Sequence, residues 1–166
     1  MLIENQSFDA ERALYHLCDA EVRSCQFAGP ADGESALKEA RSVRVSDSSF
    51  LLRYPLWHVE GFELKNCGMT ETARAALWYS ENGLIEDCVL GGVKCLRECG
   101  DITLRNTKIL SPEFGWRCRN VTFENCEMQG GEYFMFQCDG VTMKDTKMKG
   151  KYSFQYNPGL LIENCE

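Results

Sequence analysis

The sequence has no run approaching the roughly 18 apolar residues that a membrane-spanning helix requires. Its first residues, MLIENQSFDAERAL, are acidic where a secretory leader would be basic and then apolar. The expectations that follow are no membrane partner and a cytoplasmic location. Basic residues are outnumbered, with 18 Lys and Arg against 25 Asp and Glu and a net charge of −7. No basic stretch offsets that balance, which argues against a nucleic-acid duplex and against an anionic membrane surface. At 166 residues the chain is expected to be a single domain, 1–166, with one packed core.

Cysteine, by contrast, is abundant. Ten in a small exported chain would point to a disulfide framework, but nothing at the N-terminus marks export. The expectation is small buried core residues in a reducing compartment. Cys95-Leu96-Arg97-Glu98-Cys99 is the nearest approach to a metal pair, and it lacks a second pair at zinc-ribbon spacing. No metal or other cofactor is expected.

The dominant signal is a repeat. NVTFENCEM, GVTMKDTKM and DITLRNTKI share one pattern, apolar-x-apolar-x-(Asn/Asp/Ser)-(Cys/Thr/Ser)-x-apolar. Aligned on it, the polar position reads Asn5, Ser24, Asp47, Asn66, Asp87, Asn106, Asn125, Asp145 and Asn164, at steps of 19–23 residues. Such a period denotes a solenoid, and the alternation inside each copy has the strand period of two. A coil this short has no room for a crossover helix. The fold class expected is therefore all-β, a single-stranded right-handed parallel β-helix of about eight coils of 19–23 residues.

In such a solenoid, equivalent residues of successive coils lie about 4.8 Å apart and form files. Asn and Asp tolerate the left-handed backbone of a corner. Phe8, Phe27, Phe50, Met69, Leu90, Ile109, Met128 and Met148 form an apolar stack. In the other half of the coil, Leu14, Leu37, Leu56, Leu77, Leu96, Trp116, Phe136 and Phe154 read as a second buried file. Tyr15, Lys38, Trp57, Trp78, Arg97, Arg117, Gln137 and Gln155 read as an outer one. His16, Glu39, His58, Tyr79, Glu98, Cys118, Cys138 and Tyr156 follow, with alternation pointing them inward and polarity outward. GPADGES (29–35) is the one sizeable insertion and reads as a projecting loop. The sequence stops within a coil, which implies a fragment, a missing cap or a homo-oligomer joined through the open C-terminal end.

The strings RALYH, DGESALKE, LRYPLWH, RAALWYS, LREC, SPEFGW, EYFMF and GKYSFQY, each followed by the Asn-Cys type of corner, resemble an uncharacterised bacterial family, a domain of unknown function in the pectate-lyase-like right-handed β-helix group. The resemblance covers essentially the whole chain. It implies the fold and members with further coils, and it carries over no catalytic residues.

For function, the best candidate surface is on coils three to five: Arg53, Trp57, Arg74, Trp78, Tyr79 and Arg97 as ligand-binding residues. Aromatic faces stack on sugars or cations, and Arg supplies forked donors to carboxylates. Glu34 shares a file with Arg53 and Arg74, so pairing between coils is the simpler explanation of those charges. His16, Glu39 and His58 share a file too, but outer members about 9.6 Å apart suit a hydrogen-bonded ladder better than a metal. The primary expectation is a non-catalytic binding or assembly scaffold for a saccharide or small anionic ligand. One alternative is a carbohydrate-active enzyme, a lyase or glycoside hydrolase, using His58, Glu39 or Glu98 as acid or base. The Asp residues needed for it are held in the ladder (Asp47, Asp87, Asp145) or at a corner (Asp19, Asp101, Asp139). The other alternative is an acidic pentapeptide-repeat-like protein that mimics nucleic acid.

Overall fold

The computed structural model describes residues 1–29 and 34–166. Pro30 to Gly33, the centre of the expected projecting loop, lie outside the described residues.

The chain winds as an all-β parallel solenoid of about eight coils, with no helix among the described residues. One wall is a nine-stranded parallel sheet formed by Leu2–Glu4, Cys18–Arg23, Arg41–Ser46, Glu60–Lys65, Glu81–Glu86, Gly100–Arg105, Arg119–Glu124, Asp139–Lys144 and Leu161–Glu163. A second, eight-stranded wall is narrower, with two-residue strands such as Gln26–Phe27 and Ser49–Phe50. The third side is held by single bridges, Trp78 to Arg97, Arg97 to Trp116 and Trp116 to Phe136.

Inside the first wall the period of two holds. Val43 and Val45, Phe62 and Leu64, Ile102 and Leu104 face inward, and the alternating residues face outward. The second wall stacks Phe8 on Phe27 at 5.2 Å and Phe27 on Phe50 at 4.8 Å, near-parallel, so the interior file is a ring stack at strand spacing.

The Asn/Asp file stands at the corner between the walls. Every member, from Asn5 to Asn164, has φ between 48° and 54°. Asn and Asp adopt this left-handed backbone more readily than other residues, and their side chains bond along the file. The Asn66 amide donates to Asp47 Oδ1 at 2.7 Å, and the Asn125 amide to Asn106 Oδ1 at 2.8 Å.

From Cys25 to Thr146 the next residue of each coil is buried, which explains the cysteines at this position. Its Sγ or Oγ accepts the buried backbone N–H of the equivalent residue one coil earlier: Cys25 N–H to Ser48 Oγ at 3.0 Å, Cys67 N–H to Cys88 Sγ at 3.4 Å, Cys88 N–H to Thr107 Oγ1 at 3.3 Å, Cys126 N–H to Thr146 Oγ1 at 3.3 Å. The same device recurs at another corner, where Val59 N–H donates to Ser80 Oγ and Cys118 N–H to Cys138 Sγ. Cys, Ser and Thr are interchangeable here because each offers a short acceptor for an amide that would otherwise be orphaned. The cysteines are free thiols; burial pushes Cys95 up, and the hydrogen bond with Cys88 followed by burial pushes Cys67 up. Among the described residues no cluster of three or more His, Cys, Asp or Glu is arranged to hold a metal.

Candidate functional site

The third side carries the candidate residues, and its backbone is unlike a strand. Left-handed residues alternate with extended ones, so that Tyr54, Leu56 and His58 in one coil have φ of 62°, 60° and 56°. A left-handed residue rotates the next side chain out of strict alternation. Pro55 and Leu56 are both buried, Trp57 is half-buried and His58 is exposed. This resolves the file of His16, Glu39 and His58, whose side chains lie at the surface.

The backbone register also moves three files by one residue from the sequence alignment, at the coils of Gly115 and Met135. Met135 N–H bonds to Phe114 O and Phe136 N–H to Gly115 O. The buried file is therefore Leu14, Leu37, Leu56, Leu77, Leu96, Gly115, Met135 and Phe154, not one containing Trp116 and Phe136. Gly115 holds the leucine position at φ 79°, and a Cβ on it would fall 2.1 Å from Met135 Sδ, so the methionine fills the space the missing side chain leaves. Trp116 and Phe136 belong instead to the outer file: Tyr15, Lys38, Trp57, Trp78, Arg97, Trp116, Phe136 and Gln155. Arg117 and Gln137 pass to the His16 file, where Arg117 Nε donates to Gln137 Oε1 at 3.1 Å. Cys118 and Cys138 move inward, where both are buried.

The outer file is thus a longer aromatic ladder than the sequence suggested. Trp57 and Trp78 stack at 4.9 Å and 11°, the Arg97 guanidinium carbon lies 4.9 Å from the Trp78 ring centre, and Trp116 meets Phe136 at 4.8 Å. Trp57 Nε1 donates to Ala75 O at 2.6 Å and Trp78 Nε1 to Lys94 O at 2.7 Å, which pins both rings. His58 stacks on Tyr79 at 4.9 Å beside them. The faces of Trp57 and Trp78 are turned to their neighbours in the file, a poor platform for stacking a sugar ring.

Arg97 interrupts the file with a cation. Among the described residues it has no ion-pair partner, and its Nε is buried without an acceptor. The Trp116 Nε1, one coil further, is likewise buried and unpartnered. Both residues line a cavity of about 80 Å³, together with Trp78, Lys94, Leu96 and Glu113.

The other candidates sit differently. Arg53 is engaged by Glu34 at 2.6 Å, as pairing within the file predicts. Arg74 lies one coil further on, exposed. Glu39 accepts the Tyr15 hydroxyl at 2.8 Å, and this hydrogen bond raises the Tyr15 pKa. Neither His16 nor His58 bonds to Glu39, so the three do not assemble as a metal or acid–base set.

A broad groove of about 800 Å³ runs along the corner of the nine-stranded wall, past Asp19, Ser42, Asn82 and Asp101. Three of its four carboxylates are committed to neighbours: Glu63 to Arg44 at 3.2 Å, Glu21 to Arg23 at 3.3 Å, and Asp101 to Arg119 and Asn120. Asp139 is one position off this file, opposite Arg119 in the register.

Among solved structures, the plasmid-mediated fluoroquinolone resistance protein QnrB1 aligns at 13% identity over 99% of this chain and 92% of its own, with a TM-score of 0.32. A glycosyl hydrolase candidate from Parabacteroides merdae aligns at 11% identity over 98% and 80%, TM-score 0.31. HetL, a pentapeptide-repeat protein of the cyanobacterium Nostoc, aligns at 12% identity over 94% and 89%, TM-score 0.23. Overlaps this low carry no argument about function. The sequence matches no curated protein. A family profile, however, matches residues 1–166 in full, and the chain belongs to that family, the proteins of unknown function DUF3737.

Proposed function

We propose that the chain is a non-catalytic recognition scaffold whose working face is the ladder side, and that its ligand is anionic. The observation that carries this reading is the contrast in charge pairing. On the nine-stranded wall the basic residues find acids one or two coils away: Arg41 with Glu60 at 3.0 Å, Arg105 with Glu124 at 2.7 Å, Arg119 with Glu81 at 2.6 Å. Exposed pairs of this kind contribute only about 0–1 kcal/mol each, but they leave that wall locally neutral. Arg97 stands apart, its guanidinium over the Trp78 ring and without an ion-pair partner among the described residues. A guanidinium stacked on a ring keeps its edge donors free, the arrangement used to take a planar anion.

The test is an array of neutral and acidic oligosaccharides and simple immobilised anions, probed with the wild type and Arg97→Ala, beside an assay for sugar release. Retention on acidic features, weakened in Arg97→Ala and with no product released, is the expected outcome. Retention that the substitution leaves unchanged, or none at all, would remove the reading.

A second reading, an acidic solenoid standing in for nucleic acid, has the net charge of −7 in its favour. It predicts capture of a duplex-binding protein, competed by DNA and indifferent to Arg97→Ala.

A further inference from the structure

The ladder side contains a seat of defined chemistry. Four buried side-chain atoms lack a hydrogen-bond partner among the described residues, and the two nitrogens in that set, Arg97 Nε and Trp116 Nε1, belong to residues that line one cavity. Both are obligate donors. A buried donor without an acceptor costs about 1–3 kcal/mol, and more when charged, so each of the two carries an unmet demand for an oxygen.

From these two unpartnered donors on residues that line one cavity we infer that the cavity between Trp78 and Trp116 binds a carboxylate, with Arg97 and Trp116 as its donors. The inference rests on the ladder side being the recognition face and narrows the ligand to one functional group. The volume, about 80 Å³, admits a head group with a water or two. A carboxylate there accepts from Arg97 in the plane of the guanidinium and from the indole N–H at its second oxygen. Trp78 lies against the guanidinium, its ring centre 4.9 Å from the guanidinium carbon, and so restricts the fork before the ligand arrives.

The periodicity of the file explains why the vacancy falls here. Trp57 and Trp78 each spend their indole N–H on a carbonyl of the following coil. Trp116 does not; its ring is tilted 41° to Phe136 and meets Tyr133 edge-on at 6.5 Å. Arg97 substitutes for a third tryptophan between them. The sign of the lining agrees with an anion, with Lys94 and Arg97 against Glu113. Glu113 is the one repelling group, and it limits affinity.

Titration of the wild type with sodium acetate and with galacturonate, followed by tryptophan fluorescence, tests this. Galactose and sodium chloride at matched ionic strength serve as controls. Both carboxylates should give a saturable change that the controls do not. Trp116→Phe keeps the ring and removes the N–H, and should weaken the carboxylates about tenfold, the worth of one charge-assisted hydrogen bond. Arg97→Lys keeps the charge and loses the fork, with a weakening at least as large. Glu113→Gln should tighten binding. The absence of a saturable carboxylate response, or a response unchanged in both Trp116→Phe and Arg97→Lys, overturns the assignment. If carboxylates fail while array binding still depends on Arg97, the seat falls and the recognition face stands. If both fail, the reading of the face falls with it.

Discussion

Ser80→Ala isolates the account of the corner residues. Ser80 Oγ accepts the Val59 N–H at 3.1 Å and donates to Leu56 O at 2.7 Å. Ser80 and Leu56 are 0% exposed and Val59 1%, so water does not replace the lost partner. Alanine leaves a buried amide and a buried carbonyl unmet, each costing about 1–3 kcal/mol. Allowing for relaxation of the corner, the loss should be about 2–4 kcal/mol, or about 1–2 M in the urea midpoint at a slope of about 2 kcal/mol/M. Urea unfolding followed by tryptophan fluorescence measures it. Ser80→Cys restores both bonds with a group the chain already uses at Cys138, and should recover most of the loss. Cys88→Ser should be tolerated and Cys88→Ala should not, since Cys88 serves Cys67 in the same manner. If Ser80→Ala unfolds within about 0.5 kcal/mol of wild type, the hydrogen-bonded file is not what the Cys, Ser and Thr residues are for, and small volume alone would account for them.

Gly115→Ala should destabilise more than Gly61→Ala: both have positive φ, 79° and 69°, but the added Cβ meets Met135 Sδ at 2.1 Å in the first and nothing nearer than 3.7 Å in the second. Comparing their thermal midpoints separates the clash from the backbone strain common to both. Removing the Glu39 charge, in Glu39→Gln, should lower the Tyr15 pKa toward the ordinary tyrosine value, read as a change in the ultraviolet titration curve; an unchanged curve would mean that Tyr15 and Glu39 are apart in solution. Native protein treated with a thiol reagent should react first at exposed Cys18 and then at half-buried Cys165, with Cys95 and Cys118 modified only on unfolding. Rapid modification of Cys95, mapped by peptide mass, would contradict the buried files.

The solenoid was legible because its corners are chemically marked. Asn, Asp or Ser followed by Cys, Ser or Thr recurs along the corner between the two walls from Ser24 to Asn164, and the strand register follows the same steps, Arg23 to Ser46 and Lys65 to Glu86 among them. The ladder side was less legible. Its leucine file passes through Gly115, which has no apolar side chain to announce it, so alignment by hydrophobicity prefers Trp116 and slips by one. The orientation of His16, Glu39 and His58 was undecidable by period two because the backbone there alternates left-handed and extended residues that carry no Asn or Gly signature. The Arg97 cavity lay beyond reach for a related reason, since only the corrected register places Trp116 above Arg97. Residue type marks Trp57, Trp78 and Arg97, whereas Trp116, which supplies the second donor, aligns by hydrophobicity with the buried file.

The central functional claim is that Arg97 and Trp116 hold unpartnered donors that an anion satisfies. The indole N–H resonances of Trp57, Trp78 and Trp116, followed in a nitrogen-15 correlation spectrum during an acetate titration, address it most directly. The account predicts that the Trp116 signal moves downfield and saturates while those of Trp57 and Trp78, already bonded to Ala75 O and Lys94 O, move little. Equal shifts at all three, or a stationary Trp116 signal, would contradict it.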